Sequence, residues 1–355
     1  MELFLSNAQF KAIAGQLDTQ PGICSPFYDR GRLASMQAVP VSPEKIEELK
    51  SSGILATLTR TSNVVAFTYS GLDFAYKTAL YAPVSPGSGA AVSISETDQG
   101  LRVASPPLTG TMLEMVLQYM GDSQVKMIDV ETELGLRETG VLFAFIDACR
   151  RRLLINLLEN EELNQVPAVE KADVLAAGKR REANLQWMAP YFLEISGQPS
   201  LEQSELQNLL PRLNRKGMLQ EQDGKLIPQP DMLRLAISFL LVESASRIQA
   251  AQGTTKDDVQ RVDIWALQGR NHSLLSWSMD EAGVTLQGLS PAQWLLMLSE
   301  MLDDPGGIFE NVEVSQPVQA AGDRLLSEDG TRTCPSCSAQ VPADKKFCTS
   351  CGHKF

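Results

Sequence analysis

Residues Thr333 to Phe355 read TCPSCSAQVPADKKFCTSCGHKF, and no other stretch of the chain so narrows what it can become. Cys334 and Cys337 form one C-x-x-C pair, and Cys348 and Cys351 form a second. Two such pairs supply four thiolates, the donor set of a closed tetrahedral zinc site with Zn–S distances of about 2.3 Å. Soft thiolates favour zinc or iron–sulfur chemistry over hard cations. Residues Ser338 to Phe347 separate the pairs and are long enough for a short hairpin, with Pro342 and Asp344 supplying turn chemistry. Val341 and Phe347 are the large apolar residues of that spacer, too few for a core. Metal binding must then supply most of the folding free energy, on the order of 10 kcal/mol in comparable sites.

The same spacing would also suit two surface disulfides or a rubredoxin-like iron site. The chain starts MELFLSNAQF, with no basic segment and no long apolar run after it, so a secretory leader is not expected. A cytoplasmic location follows as the expectation. There thiols stay reduced and C-x-x-C pairs read as metal ligands. The expectation is one structural zinc ion. The other two cysteines, Cys24 and Cys149, read as small buried hydrophobes.

Cys334-Pro335-Ser336-Cys337 and Phe347-Cys348-Thr349-Ser350-Cys351-Gly352 resemble the short bacterial and archaeal zinc-ribbon family, patterned C-P-x-C-G, spacer, F-C-x-x-C-G. Ser338 stands where that family has glycine, which makes the left-handed turn after the knuckle costlier but removes no ligand. The resemblance covers this segment alone and implies a metal, not an activity.

Charge limits the partners. The chain carries −12 overall. From Thr331 onward Arg332, Lys345, Lys346 and Lys354 stand against Asp344, giving +3 and leaving −15 on the remainder. A body that acidic lacks the clustered cations that phosphate contact needs. It suits a basic or mainly apolar protein partner instead. The longest apolar runs, near Val141–Ile146 and Leu235–Val242, are too short to span a bilayer.

The pattern along the chain predicts an α+β fold. Helices are expected over Ser6–Leu17, Ser42–Ser52 with Gly53 as its stop, Leu72–Leu80, Thr109–Met120, Thr139–Leu158 and from Ser290-Pro291 onward. Hairpins are expected from Ile54–Leu58 with Val64–Tyr69, and from Ala91–Ser95 with Gly100–Ala104. Gly87-Ser88-Gly89 lacks the third glycine of a dinucleotide loop and the lysine of a P-loop, so it reads as a connector. The methionines Met112, Met115 and Met120 read as core. Arg150–Arg152 and Lys179–Arg181 read as solvated charge, or as a hold for an acidic partner segment.

Two stretches echo each other. Ile46 to Leu55 and Leu210 to Leu219 share the pattern apolar-x-x-Leu-x-x-x-Gly-apolar-Leu. Ser93–Leu117 parallels Ser276–Leu298, with Gly100 matching Gly283. The reading is a pseudo-repeat of two related helix–hairpin units, residues 1–122 and 185–302. A helical connector (123–184) joins them, a flexible linker (303–332) comes after the second unit, and the zinc ribbon (333–355) ends the chain. The body also resembles EspG-type chaperones of type VII secretion, on the helix–x-x-x–Gly–apolar–Leu segments that end at Leu55 and Leu219. That resemblance implies two related α+β halves and helical-hairpin secretion substrates as clients.

His272 and His353 are the only histidines. His272 falls in a turn between strands and His353 comes directly after the last knuckle. No H-E-x-x-H and no P-loop occurs, so no catalytic residues, no small-molecule substrate and no enzyme are expected. Two functions remain: a non-enzymatic, chaperone-like protein-interaction module, or a transcription-associated regulator using winged-helix-like units and the ribbon to contact nucleic acid.

Overall fold

The computed structural model describes residues 1–17, 19–28, 39–72, 74–83, 91–159, 166–180, 184–310, 331–333 and 340–342. Two compact units result, Met1–Phe309 and Glu310–Phe355. The first is a mixed α and β body built on one large antiparallel sheet.

The N-terminal part starts with strand β1 (Glu2–Leu5) and helix α1 (Asn7–Ala14). Ser6 caps α1 as expected: its Oγ accepts from Gln9 N at 3.1 Å, and Gln9 Oε1 accepts from Ser6 N at 2.9 Å. Helix α2 (Pro43–Ser51) starts at the Ser42 cap with Pro43 in its first turn. Gly53 then adopts φ +77°, as the stop signal requires. The next segment departs from expectation: Ile54–Arg60 is helix α3, not a strand. The left-handed Gly53 turns the chain straight into a new helix, whose Ile54, Leu55 and Leu58 are all buried on one side.

Strand β2 (Asn63–Gly71) pairs with β3 (Ala75–Ala82), where a helix was expected over Leu72–Leu80. Thr78 and Leu80 are buried while Lys77 and Ala79 face the other way, a period of two that a helical reading misses. Strands β4 (Val92–Thr97) and β5 (Gly100–Ala104) form the expected hairpin, closing at Thr97–Gly100. Helix α4 (Thr109–Met120) buries Met112, Val116 and Met120. Residues 84–90, with Gly87-Ser88-Gly89, lie outside the described residues.

The second part starts with strand β6 (Glu131–Leu134) and the 23-residue helix α5 (Leu136–Leu158). Every residue from Glu138 to Arg150 is buried, so this part of the helix is wrapped on all sides. Strand β7 (Val169–Glu170) and helices α6 (Lys171–Gly178), α7 (Met188–Ile195) and α8 (Gln203–Arg215) come next. Then come β8 (Leu219–Gln222), β9 (Lys225–Pro228) and α9 (Pro230–Ser238). Strands β10 (Val242–Gln252), β11 (Gln260–Gly269), β12 (Leu274–Met279) and β13 (Val284–Leu289) make a meander. Helix α10 (Pro291–Asp303) starts at a Ser290–Gln293 capping box, and α11 (Gly307–Glu310) puts Phe309 into the core.

The ten-stranded sheet runs β1-β5-β4-β3-β2-β10-β11-β12-β13-β6. β2 and β10 join at its centre, so residues of the two expected units share one sheet. Outward from that junction each five-strand wing is a meander that ends on the earliest strand of its half, β1 or β6. Three cores form on it. One packs α5 to α9 against β10–β13, with Phe143 and Phe192 edge-on to Trp277. A second packs α4 and α10 on the central strands through Phe67, Ile248 and Trp294. The third packs α1 to α3 on β1, β4 and β5. Among the described residues no helix is long and apolar enough to cross a membrane.

Candidate functional site

The expected zinc ligands Cys334, Cys337, Cys348 and Cys351 lie outside the described residues, as does His353. Beside them, strands β14 (Thr331–Thr333) and β15 (Gln340–Pro342) pair antiparallel, with Thr333 opposite Gln340. In sequence these strands bracket the first pair, Cys334 and Cys337. Most of Ser338–Phe347, where a short hairpin was expected between the two pairs, lies outside the described residues. Among the described residues no group of His, Cys, Asp and Glu could hold a metal. Cys24 and Cys149 are both buried, as expected of hydrophobic packing, and burial pushes both thiols up.

The body offers a different feature, an open face on the four central strands. On β2 the residues Val65, Phe67 and Tyr69 turn to the core beneath α4, while Val64, Ala66 and Thr68 turn the other way and are only half-buried. Registers align three rows across this second face: Lys77–Thr68–Arg247–Trp265, Ala79–Ala66–Gln249–Asp263, and Tyr81–Val64–Ala251–Arg261. Lys77, Gln249 and Arg261 are exposed. The floor between them consists of small side chains, chiefly Ala66, Ala79 and Ala251. At one end it deepens into a pocket of about 490 Å³ walled by Ile23, Cys24 and Pro26.

An ion pair fixes the middle of the face. Arg247 Nε donates to Asp263 Oδ1 at 2.7 Å, and its second arm reaches Asp263 Oδ2. The same guanidinium lies 4.1 Å from the centre of the Trp265 ring. Tyr191 of α7 meets Trp265 edge-on at 6.1 Å, and burial pushes its phenol up to about 12. These groups are held by one another, so they shape a surface. Sequence reading missed them, although Arg247, Gln249 and Ala251 alternate as one strand face should.

The arginine cluster also differs from expectation. Arg150 is buried, not solvated, and donates to Asp147 at 2.6 Å. Asp147 accepts in turn from Met188 N at 3.2 Å and Ala189 N at 2.9 Å, so it caps α7 where the N-cap residue Trp187 has no acceptor to offer. Burial raises the Asp147 carboxyl, against the pull of Arg150 and the two amides. Arg180 stacks on Trp187 at 3.7 Å, while Arg151 and Arg152 are exposed. His272 lies in the β11–β12 turn, as expected, and is exposed, with Nδ1 3.1 Å from Met120 O.

A smaller sheet stands apart from the large one, in the order β7-β9-β8. Helix α8 leads into it through Gly217 (φ +72°), and the β8–β9 turn uses Asp223 and Gly224, both at positive φ. On α8, Leu206, Leu210 and Leu213 are buried, while Gln207, Asn208, Arg212 and Arg215 are exposed.

No family model matches the chain, and no curated protein matches it in sequence. Among solved structures, the chain is similar to the Mycobacterium tuberculosis type VII secretion system chaperone EspG5 in complex with the PE25-PPE41 dimer. The TM-score is 0.37 at 11% identity, over 85% of this chain and 96% of that one.

Proposed function

We propose that this protein is a non-enzymatic, chaperone-like protein-interaction module whose client lies along the open face of strands β3, β2, β10 and β11. The observation that carries the reading is that face itself: four paired strands with small side chains at their centre and a paired Arg247–Asp263 to set register. A floor of alanines admits an elongated element, such as a helix, close to the sheet. Helical-hairpin substrates of type VII secretion are the client class to try first, as the EspG-type segments in the sequence suggest. The body belongs to this reading as two related halves, 1–122 and 185–302, with the matched glycines Gly100 and Gly283 as support.

A structural zinc ion in the C-terminal ribbon completes the proposal, held by Cys334, Cys337, Cys348 and Cys351. The four-thiolate donor set and the β14–β15 hairpin beside the first pair support it. Bound there, zinc would supply folding free energy and no chemistry. Metal analysis of the purified chain should find one zinc, and its absence would sink this part.

The client reading is tested by co-purification and calorimetry with helical-hairpin secretion substrates. Ala66→Trp fills the centre of the face and should abolish binding while thermal unfolding stays two-state. Binding that survives Ala66→Trp undamaged overturns the reading. One observation favours the second function, a transcription-associated regulator. The β7-β9-β8 order, with α8 leading into a two-strand wing, has the form of a winged helix, and α8 exposes Gln207, Asn208, Arg212 and Arg215. A gel shift at low salt decides it, since phosphate contacts are strongest there.

A further inference from the structure

The pocket that ends the open face holds three polar side chains without partners among the described residues. Tyr81 and Arg261 stand in one row of the sheet, three strands or about 14 Å apart, with Val64 and Ala251 between them. Those short floor residues leave the gap unfilled, and Tyr81, Gln249 and Arg261 all line the cavity of about 490 Å³. Among the described residues no hydrogen bond or ion pair engages the Tyr81 hydroxyl, the Gln249 amide or the Arg261 guanidinium. Burial pushes the Tyr81 phenol up to about 12, so it keeps its proton and can donate. An exposed arginine alone marks nothing. Three unmatched groups around one cavity form a recognition set.

The charges on the face name what is missing. Lys77 is paired with Glu96 at 3.0 Å, and Arg247 is held by both oxygens of Asp263. Asp258 commits its carboxylate to its own β10–β11 turn, accepting from Thr254 N at 3.0 Å, Thr255 N at 2.6 Å and Thr254 Oγ1 at 2.8 Å. Of the three cations on the face, Arg261 is the one without a carboxylate among the described residues. Its charge acts inside the cavity, on Cys24, whose Sγ lies 3.7 Å from Gly253 O. Burial raises that thiol most, and of the two charges acting there the pull of Arg261 outweighs the push of Asp258. The chain as a whole carries −12, yet this end of the face is locally positive. A guanidinium with a phenol and an amide as further donors suits a carboxylate, which accepts through both oxygens.

We propose that this pocket takes an acidic side chain of the client, seated between Tyr81, Gln249 and Arg261, as the specificity contact of the open face. The proposal rests on the open-face reading and sharpens it by one charge. The probes are fluorescein-labelled helical peptides of alanine, leucine and glutamine, identical except for a central Glu, Gln or Lys. Each is titrated with the full chain and read by anisotropy. The Glu peptide should bind about ten-fold tighter than the Gln peptide, and the Lys peptide weakest, as a partly buried charged contact requires. Arg261→Gln should erase the Glu preference, and Arg261→Glu should turn it toward Lys. Both variants should unfold at the parent temperature, because the Arg261 side chain is exposed. Arg234→Gln, which removes an exposed cation on α9, should change no ratio. Equal affinities for the three peptides overturn the proposal, as does a Glu preference that Arg261→Gln leaves intact. Absence of binding by all three overturns it too, while the client calorimetry above still judges the open face. Free glutarate that displaces the Glu peptide at equal concentration also overturns it, because the pocket would then be a small-molecule site. Ala79→Trp blocks the floor without lining the pocket. Equal affinities that Ala79→Trp abolishes spare the open face and remove the pocket. A Glu preference that survives Ala79→Trp keeps the pocket and removes the open face.

Discussion

The two wings of the large sheet share their edges and differ in what lies on them. Each wing ends on a four-residue strand, Glu2–Leu5 or Glu131–Leu134, paired with the second strand of a hairpin. In each, the hairpin glycine has positive φ: Gly100 at +117° and Gly283 at +156°. A Cβ on either would press into a backbone carbonyl oxygen, that of Leu5 or that of Leu134. Each edge also has a guarding lysine. Lys45 donates to Phe4 O at 3.3 Å, and Lys216 donates to Glu133 O at 2.8 Å. Capping an edge carbonyl with an ammonium leaves that group unavailable to a foreign strand. The helix layers differ. Three short helices cover the first wing, while five helices, with buried α5 at their centre, cover the second. The edges obey one local rule, but the wings do not share one core.

The largest expected effect lies in the thicker layer. Asp147→Ala strands a buried Arg150 and uncaps α7, costing about 3–5 kcal/mol in urea unfolding. A loss below about 1 kcal/mol would mean that α7 is not pinned through this carboxylate. The glycine pair tests the likeness of the wings directly. Gly100→Ala and Gly283→Ala should each cost about 1–3 kcal/mol, because both strain φ and meet a carbonyl. Similar losses sustain the comparison, and a several-fold difference breaks it. The lysines come next. Lys45→Ala and Lys216→Ala should each cost about 1 kcal/mol or less. The double variant should self-associate in sedimentation runs where the parent does not, since both edges are then open.

The smallest effect is a pH dependence from one ion pair in the second wing. Burial pushes the Glu205 carboxyl up, but Arg137 and the Glu202 amide outweigh it and hold it below its ordinary 4.5. A lowered carboxylate stabilises fully above the ordinary value, and that contribution is lost as pH falls through the folded one. Urea midpoints of the parent should therefore decline below pH 4.5 more steeply than those of Glu205→Gln. Identical slopes would show that the pair contributes nothing.

How much could be read beforehand varied with the range of the signal. The caps at Ser6, Ser42 and Ser290, the stop at Gly53 and the turn before Gly100 depend on residues within a few positions of each other, and all stand where the sequence puts them. Ile54–Leu58 and Leu72–Leu80 exchanged helix for strand because short apolar runs fit either period. Arg150 read as surface because a triplet of arginines says nothing of a carboxylate one turn away inside a buried helix. The open face was invisible, since it needs strands far apart in the chain to lie in register.

The sequence by itself determined the two C-x-x-C pairs, the acidic balance, the helix boundaries set by caps and the tight hairpin turns, because each is settled by neighbours along the chain. Tertiary structure alone decided that Asn63–Gly71 pairs with Val242–Gln252, and with it which faces are sealed and which stay open. That pairing depends on burial summed over two helix layers, and no local propensity encodes such a sum.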